Sequence, residues 1–369
     1  MKKLVALLAG SVVALAASVA SAAPQLQYVW SCDGNTAGCG GTVVFIHGKD
    51  DCSTGMSDCN GGDGRSGPVS YWTNSYNGAN MLDEATTKYV NGGVMYYEAF
   101  VIGHDLDNQG FWSSANDVGS CLRDLYQGTN WSGCNPNMYQ RTNFHIVTHS
   151  AGGPVVDRLM STGWYGVNSH VVGNIVTLSP ALAGSRASSA LYGIDGYGNF
   201  CTGLVSWLAG SSFQNNGASS LTRSSMIGEA NKGYQGRSPI WMLKVVTTGG
   251  SCSANNNSWW CGTSVNEHDN DGNMGTLAGC MGYSGSDDTD GLLYWSDKDP
   301  TNNTGANGCP GDSTCHYYSQ YTGAYWHWFE SWANHSHTRD DAYTTDGDWQ
   351  SSSGCYTRSP GTCVGQYAW

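Results

Sequence analysis

The stretch Phe144-His145-Ile146-Val147-Thr148-His149-Ser150-Ala151-Gly152-Gly153-Pro154-Val155-Val156-Asp157 decides the fold class. Its first half is an apolar, β-prone run. Its second half opens a helix from Pro154 to Met160, with Val155, Val156, Leu159 and Met160 on one side. Between the two, Thr148-His149-Ser150-Ala151-Gly152 must turn the chain within a few residues. A strand, a sharp turn and a helix in that order hold a serine at the tip in a strained backbone conformation, its hydroxyl above the sheet. Strand and helix cross closely at such a turn, so small residues flank it. Gly152 meets that demand; Thr148, two residues before the serine, stands where a glycine is usual.

Outward from this turn, short apolar strands alternate with helical stretches. Thr42 to Ile46 reads as a buried strand that stops at His47-Gly48-Lys49, and Val94 to Val101 as another. Asp117 to Gln127 places Val118, Leu122 and Leu125 at helical spacing; Ile175 to Leu178 and Ile240 to Val246 read as further strands. That alternation predicts an α/β fold, a mostly parallel central sheet with helices on both faces. Neither a repeat nor a charged or proline-rich linker divides the chain, so residues 23–369 read as one domain. Two long stretches, 184–237 and 248–288, read as loop-like insertions, and insertions of that length usually lie over an active site.

The chain opens with Lys2-Lys3, an apolar run from Leu4 to Val19, and Ala20-Ser21-Ala22, which fits a small-x-small cleavage site. Residues 1–22 therefore read as a secretory signal peptide, too short and too rich in Ala and Ser for a membrane span. With the signal removed no integral membrane segment is expected. Of 16 basic and 29 acidic residues, the signal carries two lysines, so the mature chain has a net charge of −15. Such a chain is not built to neutralise a phosphate backbone, which excludes a nucleic-acid partner and disfavours anionic membrane surfaces. Only 12% of residues are charged, against about 25% in an average domain. Fifteen Trp and 21 Tyr nonetheless supply far more aromatic area than a disordered chain carries.

All 14 Cys follow the signal, and their even number in an exported chain argues for disulfides. Close spacing suggests Cys32 with Cys39, Cys52 with Cys59, Cys121 with Cys134, Cys252 with Cys261, Cys309 with Cys315 and Cys355 with Cys363, leaving Cys201 for Cys280. Spacing does not fix this connectivity. There is no C-x-x-C pair to favour a metal site. Asp269-Asn270-Asp271-Gly272-Asn273 begins like a calcium loop but lacks the glycine and glutamate that complete one, and reads as a plain turn. Neither a metal nor an organic cofactor is implied.

The segments I-H-G-K-D (Ile46 to Asp50), T-H-S-A-G-G (Thr148 to Gly153) and Leu178-Ser179-Pro180 resemble the α/β-hydrolase superfamily. The branch they resemble comprises secreted bacterial lipases and lipase-like extracellular polyhydroxyalkanoate depolymerases. The resemblance covers Val43 to Pro180, and beyond it only the order of the catalytic residues. It implies that Ser150 is the nucleophile, that His47 is structural, and that the backbone amides of Lys49 and Ala151 hold the oxyanion. It also implies an acid and then a histidine, in that order, after the serine. Asp290, followed by Gly291-Leu292-Leu293, fits the acid, with Asp287 and Asp288 as rivals. For the base, Asn334-His335-Ser336-His337 precedes a helix start; His335 fits the family's terminal loop and His337 is its rival. A histidine titrating near neutrality can take the serine proton and return it to a leaving group.

The expected activity is carboxylic ester hydrolysis outside the cell, on a lipid such as a triacylglycerol or on a microbial polyester. A non-catalytic carbohydrate-binding or adhesion protein would account for the aromatic stretches Tyr71-Trp72, Trp259-Trp260 and Tyr325-Trp326 but leave the turn at Ser150 without a purpose. Those stretches equally suit core packing.

Overall fold

The computed structural model describes residues 24–30, 32, 39–49, 68–73, 80–162, 171–178, 180–182, 184–197, 201–203, 214–230, 243–246, 250–251 and 288–289. The chain enters as strand β1 (Gln25–Trp30) and then β2 (Cys39–Ile46), whose Val43-Val44-Phe45-Ile46 run is buried on both faces, as an interior parallel strand requires. Helix α1 (Pro68–Thr73) opens with proline, whose fixed φ and missing N–H suit a first helical position. Helix α2 (Met81–Ala85) is capped by Asn80, whose Oδ1 accepts the Asp83 N–H at 2.9 Å. Strand β3 (Thr87–Val90) turns through Asn91-Gly92 into β4 (Gly93–Gly103) as a hairpin, with Gly92 at φ 109°.

Helix α3 (Leu106–Gln127) begins on Asp105, whose carboxylate accepts the Asn108 N–H at 3.0 Å, and ends at Gly128 in the left-handed conformation. It starts eleven residues ahead of the helix expected at Asp117, and it bends at Gly110 (φ 77°). Strand β5 (Phe144–His149) leads into α4 (Gly152–Thr162), and β6 (Val172–Leu178) follows. Among the described residues, the region expected to be loop-like includes the short helices α5 (Arg186–Leu191), α6 (Asn216–Ser220) and α7 (Arg223–Ala230). Then come β7 (Leu243–Val246) and the antiparallel pair β8 (Gly250–Ser251) and β9 (Asp288–Thr289).

The main sheet runs β1-β4-β2-β5-β6-β7, with β3 beside β1 along the outer edge of β4. The four contacts among β4, β2, β5, β6 and β7 are parallel; β1 and β3 pair antiparallel. Alternation along the strands divides the core in two. Val44, Ile46, Phe100, Ile102 and Ile146 pack with α3 and α4 on one face. Val43, Phe45, Ala99, Val101 and Val147 pack with α1 and α2 on the other, around the fully buried Trp72. The fold is thus α/β with helices on both faces of a mostly parallel sheet, as the alternating pattern predicts. Tyr71 and Trp72 belong to this core; the other two aromatic stretches lie outside the described residues.

Disulfides join Cys32 to Cys39 and Cys121 to Cys134, two of the pairs expected from spacing, and Cys201 is also disulfide-bonded. The remaining expected pairs lie outside the described residues, as does the signal segment. Among the described residues no helix is long and apolar enough to cross a membrane, and no group of three or more metal-ligating side chains gathers.

Candidate active site

Register brings the site together. Ile46 of β2 lies opposite Thr148 of β5, and Thr148 opposite Thr177 of β6, so three parallel strands end level at their carboxyl edge. His47-Gly48-Lys49, His149-Ser150-Ala151 and Pro180-Ala181 leave those ends side by side. Carboxyl ends of parallel strands are where open α/β sheets bind their ligands.

Ser150 occupies the turn between β5 and α4 with φ 53°, in the left-handed region that a residue with a Cβ seldom enters. The surroundings over-determine this conformation. The Ser150 N–H donates to the Leu178 carbonyl at 2.9 Å, while its own carbonyl accepts from Gly153 at 3.1 Å and Ala181 at 3.3 Å. Leu178 and Ala181 thereby hold the turn from the end of β6. Glycine is required on both sides of it. A Cβ on Gly152 would sit 2.6 Å from the Ile46 carbonyl oxygen and 2.7 Å from that of His47, and a Cβ on Gly48 would meet the Ser150 Cβ at 2.7 Å. Thr148 is tolerated because it lies within the strand, fully buried between β2 and β6, short of the crossing point.

Of the expected site residues, the structure brings three together: Ser150, Ala151 next to it, and Lys49, the residue after the glycine that abuts Ser150. The Ala151 amide lies immediately before α4, beside the helix N-terminus, where N–H groups lack intrahelical acceptors and attract negative charge. Lys49 is held by its own side chain, its Nζ 3.1 Å from the Asp107 carboxylate at the start of α3. Asp287, Asp290, His335 and His337 lie outside the described residues; Asp288 contributes its backbone to β9.

Three further side chains shape the site: His47, for which the resemblance implies a structural part, and His104 and Tyr71, which sequence alone did not assign to it. The His47 Nδ1–H donates to the Gly48 carbonyl at 2.9 Å, and its Nε2 accepts the His104 N–H at 3.1 Å. Those two bonds leave His47 neutral. The His104 Nε2–H returns a bond to the His47 carbonyl at 3.1 Å, and the rings stack 4.1 Å apart. Complete burial pushes the His104 pKa down to about 4, against the opposing pull of the His47 carbonyl and Asp105. The third is Tyr71 of α1. Its hydroxyl accepts the Gly48 N–H at 3.2 Å and lies 2.5 Å from the His149 Nδ1.

No family model matches the chain, and no curated protein matches it in sequence. Among solved structures it is similar to the mature form of a Bacillus licheniformis lipase, at 16% identity and a TM-score of 0.44 over 74% of this chain and 84% of that one. It is also similar to a phospholipase from Legionella pneumophila (14% identity, TM-score 0.36, 71% of this chain and 45% of that one). A third is the Staphylococcus hyicus lipase (13% identity, TM-score 0.35, 70% of this chain and 79% of that one). On the chain's own geometry, a parallel sheet whose β5 ends in a left-handed serine, entering a helix beside a His-Gly turn, is the arrangement of the α/β-hydrolase fold.

Proposed function

We propose that the protein is a secreted serine hydrolase of carboxylic esters, acting on lipid esters in the manner of a lipase. The observation that carries this reading is Ser150: a buried-edge serine in a left-handed turn, with the glycine of the neighbouring loop pressed against its Cβ. A structural serine has no need of that conformation, and a nucleophile gains from it an exposed Oγ between two amides.

In this reading the Ser150 Oγ forms a bond to the ester carbonyl carbon as its proton passes to His335. Asp290 accepts the histidine Nδ1–H and steadies the imidazolium. The carbonyl π electrons move to oxygen, which takes hydrogen bonds from the Lys49 and Ala151 amides. Collapse expels the alcohol with the proton from His335, leaving the acyl group on Ser150; water, deprotonated by the same histidine, then releases the acid. His337 would replace His335, and Asp287 or Asp288 would replace Asp290, if substitution showed the rival to be essential. Disulfides at Cys32, Cys39, Cys121, Cys134 and Cys201 support export to an oxidising compartment.

The low charge and high aromatic content of the chain favour a second substrate, an insoluble microbial polyester. Fluorophosphonate labelling with peptide mapping tests the main reading. A single adduct on Ser150, absent in Ser150→Ala, is expected; failure to label folded, oxidised protein in the presence of detergent would refute it. Clearing of tributyrin against clearing of polyhydroxybutyrate suspensions then separates the two substrates.

A further inference from the structure

The two amides assigned to the oxyanion come from different parts of the chain, Lys49 after β2 and Ala151 after β5, about 100 residues apart. Catalysis by such a pair depends on their separation, because donors must already point to where the charge will develop. One side chain touches both parts. The Tyr71 hydroxyl accepts the N–H of Gly48, the residue before Lys49, and is bonded to the His149 Nδ1, the residue before Ser150. It also lies 2.9 Å from the place a Gly48 Cβ would take, and that place is 2.7 Å from the Ser150 Cβ. The clasp therefore closes directly against the nucleophile.

We propose that Tyr71 is a positioning residue that sets the spacing between the two oxyanion-binding amides. It acts by clasping the loop after β2 to the turn after β5. The inference rests on the proposed esterase reading. Its ring is already anchored without the hydroxyl: Tyr71 is buried, with His47 at 5.4 Å, Trp72 at 5.3 Å and His149 at 5.8 Å between ring centroids. Removing the oxygen alone thus keeps the packing and opens the clasp. The consequence falls on the transition state. Substrate binding does not use the oxyanion amides fully until the carbonyl carbon becomes tetrahedral, so kcat moves and KM does not.

The test compares wild type, Tyr71→Phe, and two replacements of its partner, His149→Gln and His149→Leu. Rates on p-nitrophenyl butyrate are expressed per active site titrated with fluorophosphonate, so only folded, labelled enzyme is counted. Displacing a catalytic group by about 1 Å costs on the order of 100-fold. Tyr71→Phe is expected to lose roughly 10- to 100-fold in kcat with KM unchanged, and to lose affinity for a phenylboronic acid, a tetrahedral mimic, by the same factor. His149→Gln, which can still hydrogen-bond the Tyr71 hydroxyl, should keep more activity than His149→Leu. If Tyr71→Phe keeps kcat and boronate affinity within twofold of wild type, Tyr71 only packs and the proposal is overturned. A wild-type protein that neither labels nor hydrolyses the ester would overturn the esterase reading itself, and the inference with it.

Discussion

A serine at φ 53° is expensive, and the cost can be measured apart from function. In L-residues the left-handed region costs about 1–2 kcal/mol, which glycine avoids. Ser150→Ala and Ser150→Gly should both abolish hydrolysis, but the glycine variant should be more stable than the alanine variant by about 1 kcal/mol after allowing for its greater freedom when unfolded. Urea unfolding checks this, and an alanine variant of equal or greater stability would mean that the turn is unstrained. Gly48 makes the complementary case. Its Cβ would press on the Ser150 Cβ and the Tyr71 hydroxyl, at 2.7 and 2.9 Å, so Gly48→Ala must push the oxyanion loop away. We expect a loss of about 100-fold in kcat with a folded protein, and an unchanged rate would show that the loop has room to spare. The turn at Ser150 and its crossing glycine Gly152 were legible in the sequence because strand, turn and helix are local, whereas Lys49 and Ala151 were named only through the resemblance. Tyr71 and His104 were legible in neither way. Their partners stand 78 and 57 positions away, and no periodicity relates them.

Elements followed the same rule. Strands β2, β5 and β6 announce themselves as apolar runs, whereas β3 is a four-residue hairpin arm whose one clear sequence signal is Asn91-Gly92 before Gly93. Helix α3 shows why boundaries fail. Its second half carries the regular spacing of Val118, Leu122 and Leu125; its first half is broken by Gly110 and diluted by Ser and Asn. What holds that first half is tertiary. The Phe111 N–H donates to the Ser220 Oγ at 2.9 Å, and Asn216 Nδ2 donates to the Asn108 carbonyl at 2.5 Å, so α6 docks at the bend. The bend needs glycine twice over, for φ 77° and for the Asn216 carbonyl 3.2 Å from its missing Cβ. Gly110→Ala should destabilise the protein by about 1–2 kcal/mol. Hydrogen exchange should show the loss concentrated in α6 and the first turns of α3. A uniform loss across the sheet would place the bend's importance elsewhere.

At the scale of the molecule the class of sheet was legible and its order was not, because order is decided by which strand ends find one another across the chain. The His47–His104 pair is one such meeting, joining the ends of β2 and β4 beside the nucleophile. It also makes global stability depend on pH in a definite direction. His104 binds its proton at about 4 in the folded protein and at 6.5 as an ordinary histidine when unfolded. Between those values the unfolded chain takes up the proton and the folded one does not, so acidification draws the equilibrium toward unfolding. The contribution is fully present above pH 6.5, declines through the window, and is lost below about 4. Between pH 7 and pH 5 it amounts to about 2 kcal/mol. His104→Gln keeps a neutral donor for the His47 carbonyl and removes the titration. Whatever its absolute stability, the variant should lose about 2 kcal/mol less than wild type between those two pH values, since the carboxylates titrate alike in both proteins and cancel in the difference. Urea unfolding at pH 7 and pH 5 gives the four free energies required. Parallel losses in the two proteins would mean that the buried pair admits a proton at little cost, and that the turn beside Ser150 is held by packing and not by the neutral state of its histidines.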